Sequence, residues 1–323
     1  MAQHKVFSAK VKSRAGMNWV HAIFALALCL LIQGAFAQSE SKAFGTPEEA
    51  MNAFVQALRA NDQAGLSAIL GPGGDKLIRS GDEVADRRDR ERFISAYSQA
   101  RKLKPDGDNR LIVLIGNNEW PYPIPLVKSE TGWFFDTQHG DDEILARRIG
   151  RNEYAALRVL AEIVDAQREY AALNRDDQGM PVYASKIVSG QGQHDGLYWP
   201  VGDTEPESPI GELVAAAAAE GYSNADAEPL APYHGYLYRI LAKQGKNAEG
   251  GVIDYVTNGR MTAGFAAIAW PARYGASGVM TFIVNENGQI FEKNMGPNTS
   301  EVAAGIDSFN PEDDWRPVAP PKP

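Results

Sequence analysis

The only cysteine in the 323 residues is Cys29, inside an apolar run from Ala22 to Ile32, so the chain that follows can use no disulfide and no cysteine-ligated metal. Whatever folds there must rest on its hydrophobic core. Lys5, Lys10, Lys12 and Arg14 precede the run and Ala35-Phe36-Ala37 closes it, the arrangement of a secretory signal with an A-x-A cleavage site. The run is about half the roughly 20 residues that a membrane-spanning helix needs. The expectation is a signal peptide over residues 1–37, no stable membrane anchor after cleavage, and a periplasmic or secreted product. The residues after it carry 28 basic against 41 acidic side chains, a balance of −13. That balance argues against nucleic acid as a partner and against anionic lipid surfaces. The densest basic group, Arg87, Arg88, Arg90 and Arg92, is interrupted by Asp86, Asp89 and Glu91 and reads as a solvated, ion-paired helix face.

The expected fold class is α+β. Thr46-Pro47-Glu48-Glu49 supplies an N-cap, a proline at the first helical position and acids at the positive end of the helix dipole. Ala50, Phe54, Val55 and Leu58 then share one face. A second short helix runs from Ala64 to Leu70, the glycines and proline at 71–74 stop it, and a third is expected from Arg87 to Ala100. Strands follow at Arg110–Gly116, Pro123–Val127 and Trp133–Phe135, the last two as a hairpin. These make an N-terminal domain over residues 38–148. A long linking helix, starting at Asp142 or Glu153 and ending near Leu173, carries an apolar stripe of Leu157, Leu160, Val164 and Ala171. A strand-like stretch Tyr183–Val188, an alanine-rich helix from Ile210 to Gly221 and strands at 236–241, 264–270, 279–284 and 289–293 complete a C-terminal domain over 149–309. Asn287-Gly288 predicts a two-residue type I′ turn between the last two strands. Residues 310–323 form a proline-rich tail expected to be extended or disordered.

Three helices followed by a small antiparallel sheet resemble the opening of a nuclear-transport-factor-2-like cone. The later half is similar to the globular part of type IV pilins and pseudopilins, in Ala166-Gln167-Arg168-Glu169-Tyr170-Ala171, Tyr183-Ala184-Ser185 and Gly278 to Asn285. Here, however, the long helix is internal rather than a membrane-entering N-terminus. Five further stretches, Thr46-Pro47-Glu48-Glu49-Ala50, Asp195 to Pro200, Glu207-Ser208-Pro209, Tyr233-His234-Gly235-Tyr236 and Trp270 to Gly275, resemble exported proteobacterial proteins grouped as domain of unknown function 2950. That resemblance implies an exported protein of this architecture and brings no established activity.

The chain lacks H-E-x-x-H, G-x-S-x-G and the phosphate-binding G-x-x-x-x-G-K-[ST]. His139, His194 and His234 are widely spaced and make no metal motif. Asn174, Asp176 and Gln178, with Gly179 after them, fall at the ligand positions of a helix-flanked calcium loop, but Ser185 stands where the bidentate glutamate belongs. A polar turn is preferred and calcium is the only cofactor in view. Tyr198, Trp199, Tyr236 and Arg273 are the ligand-binding candidates, either stacking on sugars or peptides or serving as core and loop anchors. Asp195 or Glu207 with His234 would be the acid and base of any catalytic site, though no spacing rule pairs them. The preferred function is a non-enzymatic binding or assembly module of the cell envelope, with an envelope protein or glycan as partner. The alternative is a hydrolase or transferase acting on envelope glycans or peptides.

Overall fold

The computed structural model describes residues 41–200, 207–222 and 231–319. The expected signal peptide and the last four residues of the tail lie outside the described residues. Helix α1 (Pro47–Ala60) starts as its sequence dictates: the Thr46 hydroxyl accepts the Glu49 N–H, and Asn61 ends it in the left-handed conformation at φ 51°. Asp62 caps α2 (Gln63–Leu70) through the Gly65 N–H. After the short α3 (Gly74–Ile78), Asp82 caps α4 (Glu83–Gln99), which therefore begins one turn earlier than the arginine-rich pattern predicts. The first sheet joins β1 (Arg101–Pro105), β2 (Arg110–Ile115), β4 (Leu126–Ser129) and β5 (Gly132–Phe135) in that order, with β3 (Trp120–Pro121) also on β2. Every pairing in it is antiparallel. Strand β1 is unexpected from its exposed, charged sequence Arg-Lys-Leu-Lys-Pro; it is an edge strand, where charge and proline are tolerated.

Helix α5 (Thr137–Leu173) has 37 residues, about 55 Å at 1.5 Å per residue, and begins before the expected start. Its later half buries Ala156, Leu160, Ile163, Val164 and Tyr170 against the second core. Gln167 is fully buried among them and paired through both amide atoms: it donates to the Ala184 carbonyl at 2.8 Å and accepts the Ala184 N–H at 2.9 Å. That reciprocal pair pins the chain leaving the helix and places β6 (Lys186–Val188) beside β7 (Gly196–Tyr198).

Helix α6 (Gly211–Ala219) precedes β8 (Tyr236–Leu241). Short strands β9 (Lys243–Gln244), β10 (Ile253–Asp254), β11 (Val256–Thr257) and β12 (Arg260–Met261) lead to β13 (Ala266–Pro271), β14 (Met280–Asn285) and β15 (Ile290–Asn294). Then come α7 (Thr299–Ala304), β16 (Ser308–Phe309) and β17 (Arg316–Val318). The second sheet runs β17-β15-β14-β13-β8, all antiparallel. Strand β13 is buried at all six positions, which requires cover on both faces, and α5 and α7 both pack on it. The proline-rich tail thus contributes β17, the edge of this sheet.

The β14–β15 turn corrects the sequence expectation. Asn285 pairs with Gln289 across Glu286-Asn287-Gly288, and only Gly288 of the three has positive φ, at 77°. A type I′ turn needs positive φ at both central residues, so this is a three-residue loop with its glycine in the left-handed position. The Asn285 side chain selects it, accepting the N–H groups of Asn287 and Gln289.

Two hydrophobic clusters hold the molecule. One gathers Phe54, Leu66, Ile115 and Phe135; the other gathers Ile163, Tyr236, Ile268 and Phe282. Both belong to one compact unit.

Candidate functional site

The residues named from sequence do not converge on one site. Asp195 is held by Lys186 at 2.5 Å and by the Gly190 N–H at 2.8 Å. Burial opposes its charge, but these partners outweigh burial and keep the carboxyl below its usual value. Glu207 is exposed. The carboxylates that act on His234 are instead Glu220, 3.8 Å from Nε2, and Asp82. Desolvation dominates there and lowers the imidazole pKa, so the ring is neutral near pH 7.

Of the ligand-binding candidates, Trp199 is buried, edge-on to Tyr170 and stacked with His194 at 4.5 Å. Tyr198 is half-buried against the same cluster. Tyr236 is fully buried and its hydroxyl donates to the Met280 carbonyl, which makes it core and removes it from any ligand surface. Arg273 donates to the Asp75 carboxylate at 2.5 Å and to the Arg79 carbonyl at 2.8 Å, 198 and 194 residues away. It is a clasp between the two ends of the chain; the cation beside Trp270 is Arg239. In the calcium-like loop, Asn174 donates to Tyr170 O while Asp176 accepts the N–H groups of Gln178 and Met180. Asn174 and Asp176 are thus committed to the turn, where Gln178 supplies a backbone donor. Among the described residues no group of three histidine, cysteine or carboxylate side chains is placed to hold a metal ion.

A buried joint sits beside His234. Asp82, 1% exposed, accepts the Ala85 N–H, the Tyr222 hydroxyl at 2.8 Å and the Gly235 N–H at 2.8 Å. Gly235 has φ 76°, and a Cβ there would meet Asn152 Nδ2 at 2.5 Å, so glycine is required for this backbone to reach the carboxylate. Arg88 pairs with Glu220 next to it. With its three donors in place, Asp82 ties helix α4 to the chain entering β8, and the contacts are those of a structural lock.

A concave feature lies elsewhere, between α4, α5 and the first core. A cavity of about 420 Å³ is walled by Phe54, Leu66, Leu70, Phe93, Ile115 and Trp120, within the size range of small-molecule sites. Two helix faces bring charge to it. Asp86, Asp89, Arg90 and Phe93 on α4 and Ile144, Arg147, Arg148 and Arg151 on α5 both follow the i, i+3, i+4, i+7 spacing of one face. Arg92, Arg147 and Arg151 are exposed and mark the rim, where Asp89 pairs with Arg92 and Arg151, and Glu143 with Arg147. Arg90, half-buried, has no hydrogen bond or ion pair among the described residues.

Three polar residues lie inside. Arg148, 7% exposed, donates to the carbonyls of Lys76 and Leu77, both at 2.8 Å. Asp86 is 9% exposed and accepts the Ser80 N–H; burial raises its pKa above the ordinary carboxylate value, against the opposing pull of Ser80 and Arg148. Tyr122 is 9% exposed, its hydroxyl has no partner among the described residues, and burial drives its pKa far up. Sequence reading missed this set because charged residues at helical spacing look alike on a solvated face and on a cavity wall. The available signal was that Phe93 and Ile144 share their stripes.

A family described as protein of unknown function (DUF2950) matches residues 41–318. No curated protein and no solved structure matches, so the cone-like and pilin-like readings of the two halves rest on sequence pattern alone.

Proposed function

The chain belongs to the DUF2950 family, a membership that carries an architecture and no activity, and on the basis of the cavity we propose that it is a non-enzymatic module binding a small amphipathic anion. The observation that supports the reading is the pairing of an apolar enclosure with an arginine rim and with a half-buried Arg90 that has no hydrogen bond or ion pair among the described residues. Burying apolar chain surface in such a wall is favourable at about 25 cal/mol per Å². A half-buried guanidinium without a counter-ion prefers a carboxylate, sulfate or phosphate head. Export to the cell envelope belongs to the same proposal and is supported by the sequence of residues 1–37. Among the described residues no helix is long and apolar enough to cross a membrane.

Isothermal titration of residues 38–323 with micromolar sodium dodecanoate, below micelle formation, tests the reading. Saturable binding with one ligand per chain and a negative heat-capacity change is expected. Arg90→Ala weakens it about tenfold, equivalent to about 1.4 kcal/mol for a charge-assisted contact, and Ala96→Trp, which fills the cavity from α4, abolishes it while the thermal transition remains. Absence of saturable heat with dodecanoate and with dodecyl sulfate sinks the proposal.

A further inference from the structure

We infer that the ligand carries an uncharged amide between its apolar chain and its anionic head, as an N-acyl amino acid does. The inference rests on the cavity-binding reading above and adds the chemical class. Its ground is the polar set inside the apolar wall. The Tyr122 ring is fixed by Phe93 at 5.1 Å, Phe54 at 6.1 Å and Trp120 at 6.3 Å between centroids, yet its hydroxyl meets no protein partner among the described residues. The hydroxyl is open to the cavity rather than sealed in its wall, so a ligand group that reproduces the hydrogen bond water makes there is favoured over an apolar chain that displaces that water without replacing it.

Arg148 has five N–H groups and gives two of its nitrogens to carbonyls, leaving donors over. Asp86 contributes an acceptor on the same wall. The interior therefore offers donors and an acceptor together, and its two charges cancel. A second anion placed there would confront Asp86 in a low-dielectric space, whereas a neutral group that both accepts and donates is matched. An amide does both: its carbonyl accepts from Tyr122 or Arg148 and its N–H donates to Asp86. The carboxylate of the same molecule then lies toward Arg90, which has no counter-ion among the described residues. A plain fatty acid satisfies the wall and the rim and leaves the interior set unused.

Titration of N-decanoylglycine, N-decanoyl-N-methylglycine and dodecanoate into wild type and Tyr122→Phe distinguishes these. Wild type is expected to bind N-decanoylglycine at least tenfold tighter than dodecanoate, with the N-methyl compound between them. Tyr122→Phe keeps the ring and its packing; it is expected to bring the ratio to threefold or less with dodecanoate affinity unchanged. Equal wild-type affinities for N-decanoylglycine and dodecanoate overturn the amide inference and leave the cavity reading standing. Binding of none of the three overturns both.

Discussion

At the scale of single residues, His234 shows how little a residue type says about its job. It is one of four non-glycine residues with positive φ among the described residues, at 50°, and its ring lies tilted against Tyr233 at 4.2 Å. Burial lowers its pKa first; Arg88 and Arg158 add to that, while Glu220 and Asp82 pull the other way. A histidine whose folded pKa lies below its ordinary value of 6.5 takes up its proton more readily when unfolded. Its stabilising effect is therefore complete above about pH 6.5 and is lost as pH falls from there toward the folded value. Thermal unfolding between pH 8 and pH 5 is expected to show a steeper acid-side loss for wild type than for His234→Asn, since asparagine tolerates the left-handed backbone and does not titrate. Parallel curves for the two proteins would remove His234 from the acid response. The residue was legible as chemically interesting in sequence; that its neighbours would be Glu220 and Asp82, rather than Asp195 or Glu207, was not.

Among the elements, α5 was legible through its apolar stripe and only partly placed, because the mostly polar residues before Glu153 left its start open between Asp142 and Glu153, and it begins at Thr137. Two of its glycines separate local propensity from tertiary contact. At Gly150 a Cβ would meet nothing within 4 Å, whereas at Gly140 it would lie 2.2 Å from the Pro123 carbonyl oxygen. Gly150→Ala is expected to stabilise the protein by about 0.5–1 kcal/mol, the ordinary helix-interior gain. Gly140→Ala gains the same propensity and must push α5 off the backbone of the β3–β4 connection, so net destabilisation of more than about 1 kcal/mol is expected. Urea denaturation of the two variants checks both signs, and a stabilised Gly140→Ala would mean that α5 is not seated against Pro123. The β14–β15 hairpin makes the same point in the other direction. Asn-Gly marked the reversal correctly, and the Asn285 side chain, by claiming two N–H groups of the loop, decided its length.

For the whole molecule, the decisive contacts are long-range and polar. Asp82 and Gly235 are 153 residues apart, and Arg273 and Asp75 are 198 apart. Removing the Asp82 carboxylate deletes a helix cap, about 1 kcal/mol, and leaves the Tyr222 and Gly235 donors buried without an acceptor, about 1–3 kcal/mol each. Asp82→Ala is therefore expected to lose about 3 kcal/mol or more in chemical denaturation and Tyr222→Phe about 2 kcal/mol; a loss below 1 kcal/mol for Asp82→Ala would show that the joint contributes little. The sequence by itself determined what depends on near neighbours: the Thr46 cap, the apolar stripes of α1 and α5, the strand at 236–241 and, to within one residue, that at 279–284, the family, and the absence of any cysteine after Cys29. Only the tertiary structure decided that Tyr236 and Trp199 fill a core, that Arg273 is a clasp, and that Asp86, Arg90, Tyr122 and Arg148 face one cavity. The physical reason is that helix and strand signals are written in periods of a few residues, whereas burial and convergence of polar groups depend on which distant surfaces the core brings together.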